Sequence, residues 1–247
     1  MDDQESVEPL TRLGTLSTYL DGWQALHGGY DPRGNRLVRW WLSLSYAVAR
    51  PLATRRVSPD LVTLFALLLA AAAVGPAAAG EWWLLLAAAL VVLSGLLDNV
   101  DGAVALLTGR ATPWGAVVDA VTDRIADLLF LVALLLAGAP ALACALGGAL
   151  MFLPEYLRAR AAAAGMTEVG VVTVWERPTR VIVTAAFLVA GAVVGDPWPA
   201  LGAWTWVALG AVGLVQLAVV VRRRLGTERL GRPDELSHDG RREPDEG

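Results

Sequence analysis

The chain has 247 residues, is 55% hydrophobic and has a mean hydropathy of +0.51. That excludes an ordinary water-soluble domain and points to an integral membrane protein. The formal charge of −4 says little about partners, because both ends carry many of the acids, and no nucleic-acid partner is expected.

Residues 1–36 are acidic and then Gly-rich, and read as a cytosolic lead-in, partly disordered at its start. They hold no apolar h-region, so no cleavable signal peptide is expected. Residues 37–54 are amphipathic at helical spacing, with Trp40 and Trp41 flanked by Arg36, Arg39 and Arg50. That stretch is too short and too charged to span and suits a helix lying in the interface.

Ser58-Pro59-Asp60 is a helix start: a capping Ser, a Pro at the first helical position and an acid in the first turn. No charge follows from Leu61 to Gly80, a first span, with Gly75-Pro76 and Gly80 as its turn. Trp82 and Trp83 mark an interface, and a second span runs to about Leu107, with Gly109 placed as a C-cap. Thr112-Pro113 starts a third span, which ends near Pro140. The fourth is expected over 141–157, broken near Pro154, the fifth over 179–195 and the sixth over 200–221. Residues 223–247 are charged and aromatic-free and read as a disordered cytosolic tail. The expectation is an all-α integral membrane protein, with six transmembrane helices and an N-terminal interfacial amphipathic helix. Its membrane domain would cover 37–222.

Arginine decides the orientation. The connections after spans one, three and five carry none, whereas the N-terminal segment, the other connections and the C-terminus hold nearly all of them. By the positive-inside rule both termini are cytoplasmic, in a plasma or inner membrane.

Four aspartates break the apolar pattern: Asp98 and Asp101 in span two, Asp119 and Asp123 in span three. Ionisable groups inside membrane segments default to a functional reading. Spacings of three and four residues put each pair on one helix face, and the topology brings both pairs to one depth near the cytoplasm. The small residues Gly102, Ala105 and Gly115 lie on nearly the same faces, leaving room for a ligand or for close helix packing. Four carboxylates cannot all stay ionised in one cavity without cations. All-oxygen ligands suit Mg²⁺, Mn²⁺ or Ca²⁺, and two such ions clamped by aspartates are the usual device for phosphoryl transfer. The blander alternative, that some acids cap helices or pair with Arg110 and Arg124, fits single aspartates better than all four together. Asp127 reads as a partner for Arg124 or as support for the site. Cys144, the single cysteine, reads as a small buried apolar residue and excludes an intramolecular disulfide. His27 and His238 lie in polar tails and are expected to be inert.

The run from Asp98 to Asp123 resembles the CDP-alcohol phosphotransferases (CDP-alcohol phosphatidyltransferases). Their pattern, D-x2-D-G-x2-A-R-x8-G-x3-D-x3-D, is matched at seven of eight fixed positions, with Leu106 where the family has Arg. The resemblance covers about 37–222. It implies that Asp98, Asp101, Asp119 and Asp123 bind two divalent ions, Mg²⁺ or Mn²⁺, on the diphosphate of a CDP-linked lipid such as CDP-diacylglycerol. It implies that Asp123 is also the general base for an acceptor alcohol, that CMP leaves, and that Gly102, Ala105 and Gly115 give the nucleotide close access to the backbone. It also implies a homodimer. Arg110 replaces the missing Arg only if its helix continues that far, which the Gly109 cap opposes. Arg158, Arg160, Arg177 and Arg180, around the loop after span four, read either as the positive-inside signal or as an anion pocket for a phosphorylated acceptor. Two rival functions are a membrane transporter with intramembrane carboxylates and a catalytically degenerate relative. Acids gathered on one side and the lack of a visible repeat disfavour the first, and Leu106 favours the second.

Overall fold

The computed structural model describes residues 14–26, 29, 31–166 and 172–226. Among them are eight α-helices and no strand. In chain order these are α1 (Leu16–Leu26), α2 (Arg36–Thr54), α3 (Pro59–Ala79), α4 (Trp83–Thr108), α5 (Pro113–Leu136), α6 (Ala141–Ala163), α7 (Arg177–Val194) and α8 (Trp198–Leu225). The start of the expected lead-in, His27, His238 and the expected tail beyond Gly226 fall outside the described residues.

The helices begin where the cap chemistry puts them. The Leu61 N–H donates to Ser58 Oγ at 3.3 Å at the start of α3, and the Gly115 N–H donates to Thr112 Oγ1 at 3.0 Å at the start of α5. At the end of α4, Gly109 takes a left-handed φ of 63°, and the Arg110 N–H closes back onto the Ala105 carbonyl at 2.9 Å. Arg110 is therefore outside the helix and exposed.

Five helices, α3, α4, α6, α7 and α8, are long and apolar enough to cross a membrane, which makes this a multi-pass all-α membrane protein. Six were expected. The remaining one, α5, has 24 residues, but it carries Asp119, Asp123, Arg124 and Asp127. The site residues themselves dilute its hydropathy.

Four boundaries differ from the sequence reading. Residues 16–26, placed in a cytosolic lead-in with no helix assigned, form α1, whose Tyr19 and Leu20 are each 4% exposed against the rest of the bundle. The Tyr46 hydroxyl of α2 donates to the Gly14 carbonyl at 3.0 Å and ties this segment down. Gly75 and Pro76 lie inside α3, and the turn is made at Gly80, with φ of 70°. The break expected near Pro154 does not occur: α6 runs on to Ala163, because a proline removes only one bond from the ladder while the turns on either side hold. Helix α8 continues through Arg222, Arg223 and Arg224 to Leu225, past the boundary set at 222.

Packing sets the geometry of the site. On α3, Ala66, Ala70, Ala73 and Ala77 are 0–3% exposed and recur at helical spacing, giving a seam of small residues for close approach. Helix α3 packs against both α4 and α5, which hardly touch each other. Helix α7 closes against α4 at Gly95, where an added Cβ would lie 2.7 Å from a methyl of Val181. Helices α6 and α8 complete the bundle around Trp206, whose indole N–H donates to Thr184 Oγ1 at 3.1 Å. Helix α2 lies on α4 by its Leu42, Ala49 and Ala53 face, as an amphipathic helix should.

Candidate active site

The wedge between α4 and α5 collects the acids. Asp98 from α4 and Asp119 and Asp123 from α5 each offer a carboxylate oxygen within 4.8 Å of the others. Asp101, the fourth expected member, stands outside that triplet. Its carboxylate accepts hydrogen bonds from the Thr63 hydroxyl of α3 and from the Gly102 N–H. It is 4% exposed, so its placement is fixed by α3 as much as by its own helix.

Arginines enter the wedge from the start of α7. Arg177 Nε lies 2.7 Å from Asp98 Oδ2, and its Nη1 lies 2.8 Å from Asp123 Oδ1. These are close ion pairs whose angles fall outside hydrogen-bond geometry, since both atom pairs lack aligned bonds. One turn below, Asp127 is fully buried and gathers three guanidinium groups: Arg180 at 3.1 Å, Arg124 at 3.8 Å and Arg177 at 3.9 Å. The pairing of Asp127 with Arg124 anticipated from sequence is present, and Arg180 is the nearer partner. A buried carboxylate needs such partners, because an isolated charge in low dielectric is strongly disfavoured.

The other expected arginines separate into distinct settings. Arg158 is held between Glu155 at 2.7 Å and Glu176 at 2.8 Å. Glu176 also accepts from the Thr173 N–H and hydroxyl, at 2.8 and 2.7 Å. Burial pushes the Glu176 carboxyl up, but these bonds and the Arg158 charge outweigh it and hold it below the usual range. Arg160 and Arg110 are exposed, and neither joins the acid cluster. Gly102 is exposed, with nothing within 4 Å of where its Cβ would be, whereas Gly115 faces only its own cap, Thr112 Oγ1, at 3.2 Å. Ala105 is half-buried one turn beyond Asp101.

Leu106 points away from this arrangement. It packs in an apolar cluster with Tyr19, Leu20, Val100 and Val104, close to Gly22 of α1. The side chain at the position of the family Arg thus helps seat α1.

A cleft of about 660 Å³ between α5 and α6 reaches the acids from one side, lined by Asp119, Asp123, Arg124, Phe152 and Glu155 among others. Asp119 Oδ1 is buried and has no hydrogen-bond partner. An unpaired carboxylate oxygen beside two further carboxylates is a fitting donor set for a hard divalent cation. The residues present therefore fit a metal site.

Sequence reasoning missed the insertion of Arg177 between Asp98 and Asp123, and it missed Thr63, Glu155 and Glu176. The signal for Arg177 was available: Glu176-Arg177-Pro178 opens an apolar helix, so its first charged side chain had to find a partner inside the bundle.

A bundle of apolar helices enclosing a carboxylate triplet defines a multi-pass membrane protein with a candidate metal site. The chain belongs to the CDP-alcohol phosphatidyltransferase family, whose model matches residues 56–221. It is 41% identical over 99 residues to the archaetidylinositol phosphate synthase of Aeropyrum pernix, covering 40% of this chain and 50% of that one. It is 33% identical over 138 residues to the phosphatidylinositol phosphate synthase of Mycobacterium tuberculosis, covering 49% of this chain and 59% of that one. The chain thus spans between half and two thirds of the length of these curated relatives. A crystal structure of the M. tuberculosis phosphatidylinositol phosphate synthase with CDP-DAG bound superposes with a TM-score of 0.63 at 26% identity, covering 76% of this chain and 98% of that chain.

Proposed function

We propose that this protein transfers a phosphatidyl group from a CDP-linked lipid, such as CDP-diacylglycerol, to an acceptor alcohol and releases CMP. The observation that carries the reading is the convergence of Asp98, Asp119 and Asp123 within 4.8 Å, at the spacing of the family pattern. In this reading Asp98, Asp101, Asp119 and Asp123 hold two divalent ions, Mg²⁺ or Mn²⁺. When bound, the ions neutralise the donor diphosphate and the charge that develops on it during transfer.

The chain's own groups do the rest. Asp123 takes the proton from the acceptor hydroxyl as the oxygen attacks the phosphorus nearer the lipid. The bond from that phosphorus to the bridging oxygen breaks, and CMP carries the oxygen away. Gly102, Ala105 and Gly115 border the nucleotide, and the open space at Gly102 supports that assignment. Arg177 and Arg180 would turn their forked donors from the aspartates they pair with to a phosphorylated acceptor, and the inositol phosphate chemistry in the names of the relatives supports a phosphorylated polyol. Arg158, already held by two glutamates, positions the loop before α7. The acids open to the cytoplasm, and the working unit is a homodimer.

The test is CMP release by the purified protein with Mn²⁺ or Mg²⁺, CDP-diacylglycerol and a panel of alcohols that includes inositol phosphate and glycerol phosphate. Release is expected with at least one phosphorylated acceptor. Asp123→Asn is expected to lower it by at least about 10²-fold while the thermal midpoint holds. No release with either ion and any acceptor overturns the reading and leaves the catalytically degenerate alternative.

A further inference from the structure

Helix α2 has a second face that the bundle does not use. Leu42, Ser45, Ala49 and Ala53 are buried, and the opposite side presents Arg36, Arg39, Trp40 and Arg50. The turn after the helix adds Arg55 and Arg56. All six of these residues are exposed, Trp40 by 60%. No acid occurs between Arg36 and Arg56. Among the described residues, none of the five arginines makes an ion pair, whereas Arg124, Arg177 and Arg180 elsewhere all pair with the acid cluster.

One placement runs against the electrostatics of the isolated helix. Arg36 and Arg39 occupy its first turn, where the helix dipole favours anions and disfavours cations. Arg56 adopts a left-handed φ of 58°, a conformation that helix ends normally give to glycine. The first-turn arginines keep cations on an exposed surface at an electrostatic cost that an external anion would offset, whereas the left-handed turn at Arg56 closes α2, its N–H donating to the Ala53 carbonyl and the Val57 N–H to the Leu52 carbonyl, both at 3.0 Å. Trp40 sets the depth of that surface, because an indole beside arginines favours the headgroup region of a bilayer.

We infer that this face of α2 binds anionic phospholipid headgroups and selects them over zwitterionic ones. Arginine forks pair with phosphate oxygens, and each basic group close to an anionic membrane surface strengthens attachment to it by about fivefold. The inference is independent of the chemistry at Asp98 and Asp123, and its test needs no turnover.

The experiment uses the full chain with Cys144→Ala, so that a single introduced thiol carries a fluorophore. Ala47→Cys places the dye on the exposed side of α2, and Val193→Cys, at the far end of α7, serves as the reference. Each labelled protein is reconstituted into phosphatidylcholine vesicles holding equal trace amounts of a quencher on either a phosphatidylglycerol-type or a phosphatidylcholine-type headgroup. At position 47 the acidic tracer should quench several-fold more than the zwitterionic one, and at position 193 the two should be equal. Raising salt from about 50 mM to about 500 mM should remove most of the preference, since it shortens the screening length. The charge-neutral variant R36Q/R39Q/R50Q should lose it at low salt. Equal quenching by the two tracers at position 47 overturns the inference, as does a preference in the parent protein that high salt leaves intact. The salt series decides the matter even if the triple variant cannot be reconstituted.

Discussion

Removal of Arg177 separates the structural role of the acid cluster from the metal binding proposed for it. Its guanidinium is 10% exposed and bridges Asp98 at 2.7 Å and Asp123 at 2.8 Å. Arg177→Gln takes from these largely enclosed carboxylates the counter-charge they share, leaving Asp123 only Arg124 at 3.6 Å. Removing one partner of a buried ion pair costs about 3–5 kcal/mol, which for a chain of this size corresponds to a drop in thermal midpoint of roughly 6–20 °C. A divalent cation held by the same carboxylates answers the same charge deficit. At a hundredfold excess over its dissociation constant it contributes about 2.7 kcal/mol. In the parent protein the ion must compete with Arg177, so it should stabilise the variant more. Thermal unfolding in detergent, with EDTA and then with excess Mg²⁺ or Mn²⁺, reads the difference. The gap between parent and variant should be widest in EDTA and shrink by about half with the ion. A gap of the same size in both conditions refutes the idea that guanidinium and cation share one site.

Three further perturbations test the frame around the site. Gly95→Ala puts a methyl 2.7 Å from Val181 and should cost about 1–3 kcal/mol, and adding Val181→Ala should recover most of that loss in the same melt. Leu106→Arg restores the family residue but drives a charged group into the cluster under α1. It should destabilise by about 1–3 kcal/mol, and an unchanged or raised midpoint would contradict the packing described here. Glu176 has a folded pKa below its ordinary 4.5, so its stabilisation is complete above that value and is lost as pH falls through the depressed one. Glu176→Gln should remove this acid-side loss, seen as a flatter midpoint against pH below about 4.5.

The sequence disclosed those parts that depend on local chemistry. Ser58, Thr112 and Gly109 cap helices through bonds to their own neighbours, so their types and spacing suffice. The four aspartates stand out because apolar helices disfavour charge. What the sequence hid depends on partners distant in the chain. Thr63 meets Asp101 across 38 positions, and nothing near Thr63 marks it. The pattern Leu16, Tyr19, Leu20, Trp23 does have helical spacing, but acids and glycines around it masked α1, whose stability comes from α2 and α4. Pro154 failed as a break signal because neighbouring helices hold the chain on both sides of it. The Leu106 departure was legible as a substitution, and only the packing against α1 gives it a physical sense.

The near absence of contact between α4 and α5 has a consequence for how the acid spacing is maintained. The two acid-bearing helices do not gauge their separation from each other. Each is laid against α3, and α4 is further tied to it where the Thr63 hydroxyl donates to Asp101 and the Ala66 carbonyl receives the Ser94 hydroxyl at 2.8 Å. Helix α3 therefore works as a spacer whose thickness sets the span across which Asp98 faces Asp119 and Asp123. A single added methyl on its alanine seam, far from any carboxylate, would change the distance over which a cation has to be shared.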